Sequence, residues 1–288
     1  MSRQYKRAYN LQIISDDNTA LEIKDLKIQF EVTKSVLSFP NVAKISLYNL
    51  SQNTSSLLQN KFTTIILNAG YEDNVSLIFK GQIRNVFQSQ AGVDSIATIY
   101  ASDGEQDWQN AVFNKTFTSN VSLREGVSEI LSTFSDTIIN TLAGIPEISE
   151  NLRGRTLSGS SKDILNSLAD EYNFDWNIQD GEIFITQVEE VAPGTTAVLI
   201  SAATGMVGSP TLTEIGADVT VLLNPLLLPN RSFQIESVTS DVAIGNIEFR
   251  DIKKTNATGL YKVQEVLFKG DSRKGDWLSI VKGRTING

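Results

Sequence analysis

The feature that most constrains this chain is a set of short runs in which every second residue is apolar. In DLKIQFEV, residues 25–32, the apolar side chains share one face of an extended chain and the charged or amide side chains share the other, because successive side chains of a strand point to opposite sides. Similar runs follow at 41–48, 62–70, 75–83 and 95–103. The pattern predicts an antiparallel β-sandwich or β-barrel in this part of the chain.

The alternating pattern of one of these runs ends abruptly. In NVAKISLYNLSQNT, residues 41–54, the alternation stops after Leu47. Ser51 is then placed to cap the backbone N–H groups of a short helical turn that ends in Leu57-Leu58. The sequence therefore predicts a strand that leads directly into a small helix.

The residue pattern changes near residue 119. In SNVSLREGVSEILSTF, residues 119–134, Ser122 and Glu125 have the spacing of a capping box, and apolar residues recur along one helical stripe. A second amphipathic helix is predicted in SSKDILNSLADEYNFDW, residues 160–176, with Ser160 or Ser161 as its cap. This part of the chain is therefore predicted to be helical in two places.

The chain then returns to strands in FDWNIQDGEIFITQV, where Asp180-Gly181 between two apolar-patterned runs predicts a β-hairpin. EEVAPGTT at 189–196 has the composition of a linker. Short β runs resume beyond it, and the polar stretch 241–259 is predicted to be a long surface hairpin or loop.

The predicted fold class is mainly β with an α+β insert. The predicted domains are a first β-barrel domain at 1–118, an α+β module at 119–190 and a second β-barrel domain at 191–288. Two stretches, IYASDGEQDW at 99–108 and LFKGDSRKGDW at 267–277, both run from a strand through an Asp-containing turn to Asp-Trp. This echo favours a duplicated β fold around the insert, with chance as the alternative.

Composition excludes several functions. The 288 residues include no Cys and no His, which removes thiolate nucleophiles, disulfides, Cys/His zinc sites and histidine bases. The net charge of −8 argues against general attraction to nucleic acid. The N-terminal residues are too polar for a signal peptide, and VTVLLNPLLLP at 219–229 is too short to span a bilayer. We expect neither secretion by a signal nor a membrane anchor.

Two groups of residues in the sequence have the composition of catalytic sites. Ser279 and Lys282 form the one Ser-x-x-Lys of the chain, but in a strand residues three apart point to opposite sides, so we expect both to be ordinary strand residues. Asp103 and Asp271 lie on separate elements and form a conceivable carboxylate pair, although Asp beside Gly more often serves in turns. We predict no catalytic residue.

Ligand and cofactor motifs are missing as well. SDDNTALE lacks the glycine and the spacing of a calcium loop, and the glycines of 194–208 fit neither a P-loop nor a dinucleotide fingerprint. We predict no cofactor-binding and no metal-binding residue. Trp108, Trp176 and Trp277 follow Asp directly and are expected to pack in a core or a subunit interface rather than to form a binding platform.

The order of motifs resembles the opening of phage baseplate hub proteins. FEVTKSVLSFPNVAKISLYNLSQNT is followed by TIILNAGYEDNVSLIFKGQI and by YASDGEQDW. GRTLSGSSKDILNSLADEYNFDWNIQDGEIFIT is similar to the middle module of that family, and VLLNPLLLPNRSFQIES, GLYKVQEVLFKGDSRKGDW and SIVKG are similar to its closing β domain. The resemblance is weakest at 135–152 and 240–258. It rests on the order of the motifs, since no single motif is specific.

The resemblance implies two tail-tube-like barrels per chain and a homotrimer, in which six barrels form a ring. Such a ring joins a six-fold tail tube to a three-fold central spike, contacts other baseplate proteins and leaves a channel for DNA without specific nucleic-acid binding. The expected location is the virion tail baseplate, assembled in the host cytoplasm, with the spike as a separate protein. We expect polar and acidic residues to dominate the channel wall and basic residues to lie elsewhere.

Two other functions remain open at this point. One is a cell-wall-degrading tail enzyme, which the missing histidine and the missing carboxylate signature disfavour. The other is the hub of a bacterial injection system or bacteriocin, which has the same fold and which the sequence does not separate from a phage hub.

Overall fold

A computed structural model describes residues 6–15, 19–51, 54–56, 58, 62–118, 121–135, 137–145, 152, 154–188, 190–194, 196–243 and 256–286. Most of the polar stretch 241–259, predicted to be a long hairpin or loop, lies outside these residues, and so does part of SDDNTALE.

Nineteen strands are described, and their alternating burial confirms the period-2 pattern of the sequence. In Ile28–Ser35, for example, buried residues alternate with partly or fully exposed ones. The strands are β1 Arg7–Ser15, β2 Ala20–Ile23, β3 Ile28–Ser35, β4 Val42–Tyr48, β5 Phe62–Tyr71, β6 Asn74–Ala91, β7 Asp94–Ser102, β8 Val112–Thr116, β9 Ile138–Thr141, β10 Thr156–Ser160, β11 Phe174–Gln179, β12 Glu182–Gln187, β13 Val198–Ile200, β14 Thr211–Leu212, β15 Gly216–Leu222, β16 Ser232–Ile235, β17 Asp241–Val242, β18 Gly259–Asp271 and β19 Trp277–Thr285.

The described helices are few and short. They are α1 Glu105–Asn110, α2 Leu123–Leu131, α3 Ser161–Tyr172 and a 3₁₀ turn at Ala202–Thr204. The capping box of α2 is present, with Ser122 Oγ accepting from Glu125 N and the Glu125 carboxylate accepting from Ser122 N. Ser160 takes the N-cap position of α3 but makes no capping hydrogen bond through its side chain.

The predicted turn after Ser51 is helical at residues 54–56 and 58. Ser51 Oγ accepts from Thr54 N at 3.2 Å, and Ser51 O accepts from Ser55 N at 2.9 Å. Ser51 therefore caps this turn as its position after β4 predicts.

Both β regions belong to one sheet, whose path is β17-β14-β15-β19-β18-β3-β4-β7-β6-β5-β1-β2, with β13 and β16 branching from β18. The two regions meet where β18 pairs antiparallel with β3, from Glu265 opposite Ser35 to Asp271 opposite Gln29. One hydrophobic core accordingly draws residues from both regions. A mainly β fold with an α+β module is thus confirmed.

The two β regions repeat the same strand order. In the first region the order is β3-β4-β7-β6, and in the second it is β14-β15-β19-β18. Each ends in a long hairpin whose register shifts once, between Ile83 and Asn85 and between Val263 and Glu265. The Asp-Trp echo does not mark this repeat, because Asp103 follows β7 whereas Asp271 ends β18, the counterpart of β6.

A second, smaller core lies between the two β regions in the sequence. It extends from Ala111 to Ile185 and contains the apolar faces of α2 and α3 together with β11 and β12. Its strands form a two-stranded sheet, β10-β8, and a three-stranded sheet, β11-β12-β9. We call this unit the module and the large sheet with its core the body. The domain limits at 118 and 190 stay predictions.

Candidate functional site

The turn of the β11–β12 hairpin joins the module to the body. Asp180 and Gly181 both have positive φ, 57° and 87°, as a two-residue hairpin turn requires. The Asp180 carboxylate lies 2.5 Å from the Nζ of Lys34 on β3, and it accepts from Lys80 N at 2.9 Å. Lys34 has no solvent-exposed surface, so this ion pair lies inside the joint between module and body.

Asp103 occupies the middle of the same joint. Its carboxylate accepts from Asn41 N at 2.7 Å, from Asn41 Nδ2 at 2.9 Å and from Asp180 N at 3.0 Å. Burial raises the pKa of Asp103 from 3.8 to about 6, although the Asn41 hydrogen bonds and the Lys34 charge oppose this rise. The carboxylate is therefore held by three donors in a place where its charge is poorly solvated.

Hydrogen bonds continue from Asn41 across the module to the second β region. They run Asn41 Nδ2 to Gln179 Oε1 at 3.0 Å, Gln179 Nε2 to Asn177 Oδ1 at 3.1 Å, Asn230 Nδ2 to Asn177 Oδ1 at 3.1 Å, Thr186 Oγ1 to Asn230 Oδ1 at 3.2 Å and Lys262 Nζ to Thr186 Oγ1 at 3.4 Å. We call the nine residues Lys34, Asn41, Asp103, Asn177, Gln179, Asp180, Thr186, Asn230 and Lys262 the polar junction.

Lys262 ends this chain of contacts on β18. Its ammonium donates to the carbonyls of Gln187 and Val188 at 3.2 and 3.3 Å and lies 3.7 Å from the Asp175 carboxylate. Burial lowers the pKa of Lys262 and raises the pKa of Asp175. Each β region thus sends one buried lysine to the module, and each lysine meets an aspartate of the β11–β12 hairpin.

A groove of about 610 Å³ runs beside the Lys34–Asp180 pair. Its charged lining mixes both signs, with Lys80 and Arg231 against Glu182. A wall of this kind does not select a ligand of one charge, and we assign no ligand to it.

The structure separates the two residues of the Ser-x-x-Lys motif. Ser279 is buried, and its Oγ accepts from Asn224 N at 3.0 Å. Lys282 is exposed and pairs with Glu265 at 2.9 Å. The two side chains lie on opposite faces of β19, as the strand geometry predicts.

Asp103 and Asp271 are also far apart. Asp271 accepts from Gln29 Nε2 at 2.7 Å, whereas Asp103 holds Asn41, whose Oδ1 accepts from Ser35 N. Gln29 and Ser35 stand at opposite ends of β3, which at 3.3 Å per residue places them about 20 Å apart. This separation exceeds the spacing of glycosidase carboxylates.

Asp271 performs the turn role expected of it. Its Oδ1 accepts from Arg273 N at 2.8 Å and from Lys274 N at 3.0 Å, which closes the turn between β18 and β19. Trp176 and Trp277 are buried in the cores of module and body. Trp108 is partly buried between Phe39 and the Lys162 ammonium, which lies 3.4 Å from its ring centroid.

The outward face of the body sheet carries charges of both signs at close range. Lys282 lies 2.9 Å from Glu265, and Lys269 lies 3.1 Å from Asp276 and 3.9 Å from Glu31. The opposite charges of such exposed pairs cancel each other locally. The face therefore presents no run of a single sign along β3, β18 and β19.

Among the described residues, no group of three or more acidic side chains is arranged to hold a metal ion. In the same part of the chain, no helix is both long and apolar enough to cross a bilayer.

Two members of the polar junction are apparent in the sequence for other reasons, Asp103 as a carboxylate and Asp180 as a turn residue. The buried lysines are not. Lys34 stands in an inward position of an otherwise alternating strand, after Ile28, Phe30 and Val32. A charged residue in the apolar register was the one available signal of a buried partner.

Comparison with known proteins identifies the family. The sequence profile of the family described as baseplate hub gp41 matches residues 10–247. No curated protein sequence matches the chain.

Several solved structures share the fold over nearly the whole chain. The 43 kDa tail protein of prophage MuSo2 from Shewanella oneidensis has a TM-score of 0.59 at 11% identity, with 96% of this chain and 97% of that chain covered. The tail protein from Neisseria meningitidis MC58 has a TM-score of 0.58 at 7% identity, with 97% of each chain covered.

A third match comes from a secretion system. The E. coli c3393 protein, described as a component of the type VI secretion system, has a TM-score of 0.57 at 10% identity, with 91% of this chain and 74% of that chain covered. At these identities the structural matches show a shared fold. The family match covers most of the sequence and leads to one conclusion: the chain belongs to the baseplate hub gp41 family.

Proposed function

We propose that three copies of the chain form a ring that adapts a six-fold tail tube to a three-fold central spike. The observation that carries this proposal is the pairing of β3 with β18, which joins two β regions of the same strand order within one chain. Three such chains supply six similar units, which matches a six-fold tube, while the chain itself repeats three times, which matches a three-fold spike.

The polar junction supports a fixed orientation of the two β regions within each chain. Because each β region sends a buried lysine to the module, the module holds the two regions in one relative orientation. A ring made of paired regions needs this fixed angle, since a variable angle would prevent closure.

The proposed partners are the tail tube protein, a separate central spike protein and other baseplate proteins. The proposed location is the baseplate of a phage virion, after assembly in the host cytoplasm. The role is structural rather than enzymatic, which agrees with the separation of Ser279 from Lys282 and of Asp103 from Asp271.

The outward face of the body sheet is the proposed channel wall. This face carries lysines paired with carboxylates. Paired charges of both signs offer DNA no continuous set of cations from which to release counterions, so DNA slides past it.

Mass measurement by light scattering tests the ring. The expected mass is three times the 31.6 kDa of one chain, measured over a range of concentrations and again with the purified tube and spike proteins. A chain that stays monomeric under all of these conditions contradicts the proposal.

DNA binding by the isolated trimer tests the channel. We expect weak binding at low salt and little dependence on salt concentration, measured by fluorescence anisotropy with labelled duplex DNA. Tight binding that weakens steeply with salt would show a cationic channel and contradict the proposed wall.

A second candidate is the hub of an injection system, which the fold shared with the E. coli secretion-system component favours. The genes that neighbour this one separate the two candidates, because a phage must also encode the proteins of its capsid. Peptidoglycan turnover by the purified protein tests the structural role, and measurable hydrolysis would contradict it.

A further inference from the structure

The loop between β3 and β4 presents two large apolar side chains to the outside. Leu37 is 59% exposed and Phe39 is 63% exposed, whereas Val36, which begins the loop, is buried. Val42, at the start of β4, is exposed as well. Single exposed apolar residues are ordinary on a soluble protein, but neighbouring ones mark an interaction site.

This loop is fixed at its start and in its middle. Val36 N donates to Gln264 O at 2.9 Å, which ties the start of the loop to β18. In the middle, Trp108 Nε1 donates to Ser38 O at 2.7 Å, and the Trp108 ring packs against Phe39 with centroids 5.8 Å apart. Because the loop is already ordered, a partner that binds it pays little conformational entropy.

One cation borders these apolar side chains. Lys162, at the start of α3, holds its Nζ 3.4 Å from the centroid of the Trp108 ring. No carboxylate pairs with Lys162 in the part of the chain that the structure describes. Glu105, on the same helix as Trp108, is already paired with Arg84. We call the four residues Leu37, Phe39, Trp108 and Lys162 the loop surface, which is apolar with one uncompensated positive charge.

The second β region has no copy of the loop surface. The loop after β3 has six residues, 36–41, whereas the equivalent connection between β14 and β15 has three, 213–215. Thr213 N donates to Gly216 O at 3.0 Å and Gly216 N donates to Thr213 Oγ1 at 3.1 Å, which closes this tight turn. Ile215 is exposed there, but the turn contains no aromatic residue and carries the acidic Glu214. The loop surface therefore occurs once per chain.

The number of these surfaces bears on the partner. In a ring of three chains, a feature that occurs once per chain occurs three times around the axis. A six-fold tube repeats its contact six times, so three such surfaces do not match it, whereas a three-fold spike repeats its contact three times. The positive charge of Lys162 adds that the partner surface carries a carboxylate beside an apolar pocket.

We infer that the loop surface docks the three-fold central spike, each chain of which offers an apolar pocket with an acidic rim. Leu37 and Phe39 enter the pocket as anchors, and Lys162 meets the rim. This inference rests on the proposed function and names the residues through which the chain holds the spike.

Spike binding by truncated variants tests the anchors. Biolayer interferometry with immobilised, purified spike protein compares the unmodified chain with Leu37→Ala and Phe39→Ala. Each variant is expected to weaken binding at least about tenfold, because a buried apolar anchor carries much of the binding free energy. Val93→Ala is the matched control: Val93 is 96% exposed in the turn between β6 and β7, and its truncation leaves spike binding unchanged.

Variants of Lys162 test the acidic rim. Lys162→Gln is expected to weaken spike binding at low salt, and the loss should shrink as the salt concentration rises, because salt screens exposed charges. Lys162→Arg keeps the charge and is expected to keep the binding. If Lys162→Gln bound the spike as tightly as the unmodified chain at every salt concentration, the acidic rim would be contradicted.

Tube binding and native mass of the same variants separate the ways in which the inference can fail. Spike binding that is equal for the unmodified chain, Leu37→Ala and Phe39→Ala overturns the assigned surface and leaves the proposed function standing. Loss of tube binding with spike binding kept, or a fall from trimer to monomer, assigns the surface to the tube or to a second copy and overturns the inference. An unmodified chain that does not bind the spike overturns the proposed function itself. Urea denaturation shows that the variants keep the fold.

Discussion

The core of the body and the polar junction hold the same chain together by different forces. The core of the body is apolar and draws on both β regions. Buried polar side chains are concentrated elsewhere: of the 14 in the described chain, eight belong to the polar junction, namely Lys34, Asn41, Asp103, Asn177, Gln179, Thr186, Asn230 and Lys262.

This difference separates stability from orientation. Apolar burial is large but non-directional, so it favours compactness over any one arrangement of parts. Hydrogen bonds and buried ion pairs contribute less net free energy, but they are satisfied in one geometry only. We therefore expect substitutions in the core to lower the free energy of unfolding most, and substitutions in the junction to loosen the module against the body.

The largest loss is expected for Trp277→Ala. Trp277 is buried, packs edge-to-face on Phe30 with centroids 5.2 Å apart and donates its Nε1–H to Gly70 O at 2.9 Å. Truncation leaves a large cavity and an unpaired carbonyl, at a cost of about 3–5 kcal/mol in the free energy of unfolding. Urea denaturation measures it, with Leu278→Ala on the opposite face of β19 as control. If Trp277→Ala lowered the free energy of unfolding by less than the junction variants do, the expected difference between core and junction would be contradicted.

A loss of about 3 kcal/mol is expected for Asp180→Asn, because it leaves Lys34 charged and buried without its carboxylate. Asparagine also tolerates the positive φ of this turn, so the hairpin itself is kept. Lys34→Met combined with Asp180→Asn removes both charges and is expected to recover more than half of that loss.

The double-mutant cycle measures this coupling by denaturation of all four proteins. Amide hydrogen exchange in β11 and β12 of the Asp180→Asn variant is expected to rise more than exchange in the strands of the body. Additive losses in the cycle would show that Lys34 and Asp180 do not act as a pair.

The next effect concerns the pH dependence of stability, to which the ionisation of Asp103 contributes. Its folded pKa of about 6 lies above the unfolded value of 3.8, so between these values the folded protein binds more protons than the unfolded chain. The contribution of this group to stability is then greatest below about pH 4 and falls as the pH rises to about 6, by up to about 3 kcal/mol. Asp103→Asn removes this slope, and denaturation at pH 4, 5, 6 and 7 compares the two proteins. An unchanged slope would contradict the assignment.

The smallest effect is expected at the exposed surface of the module. Lys115 and Glu129 pair at 2.6 Å with nearly half of each side chain exposed. Removing either group by Lys115→Met or Glu129→Gln is expected to change the free energy of unfolding by about 0.5 kcal/mol or less, and less still in high salt. A larger change would mean that surface pairs also fix the module.

Local elements of this fold were readable from the sequence. The capping box of Ser122 and Glu125, the hairpin turn at Asp180-Gly181 and the cap at Ser51 each depend on residues a few positions apart. Period-2 alternation located most strands, because one face of the sheet is buried. The likeness of motif order to phage hub proteins then gave the family.

The polar junction was not readable in the same way. Asn41 meets Asp103 across 62 positions and Gln179 across 138, and no local pattern encodes such pairs. Alternation shows which face of a strand is buried, but it does not show whether the edge of that strand has a neighbour.

The joint between β3 and β18 also determines when the protein can finish folding. Gln29 precedes its contact Asp271 by 242 positions, so β3 leaves the ribosome long before the strand that covers it. The module, whose contacts are local, can form in the interval, while β3 waits beside β4 with its other side exposed. Contacts of such high sequence separation fold slowly and expose strands that aggregate. Chaperones are therefore expected to bind the nascent chain until β18 has emerged from the ribosome. Pull-down of ribosome-bound nascent chains of increasing length measures this binding.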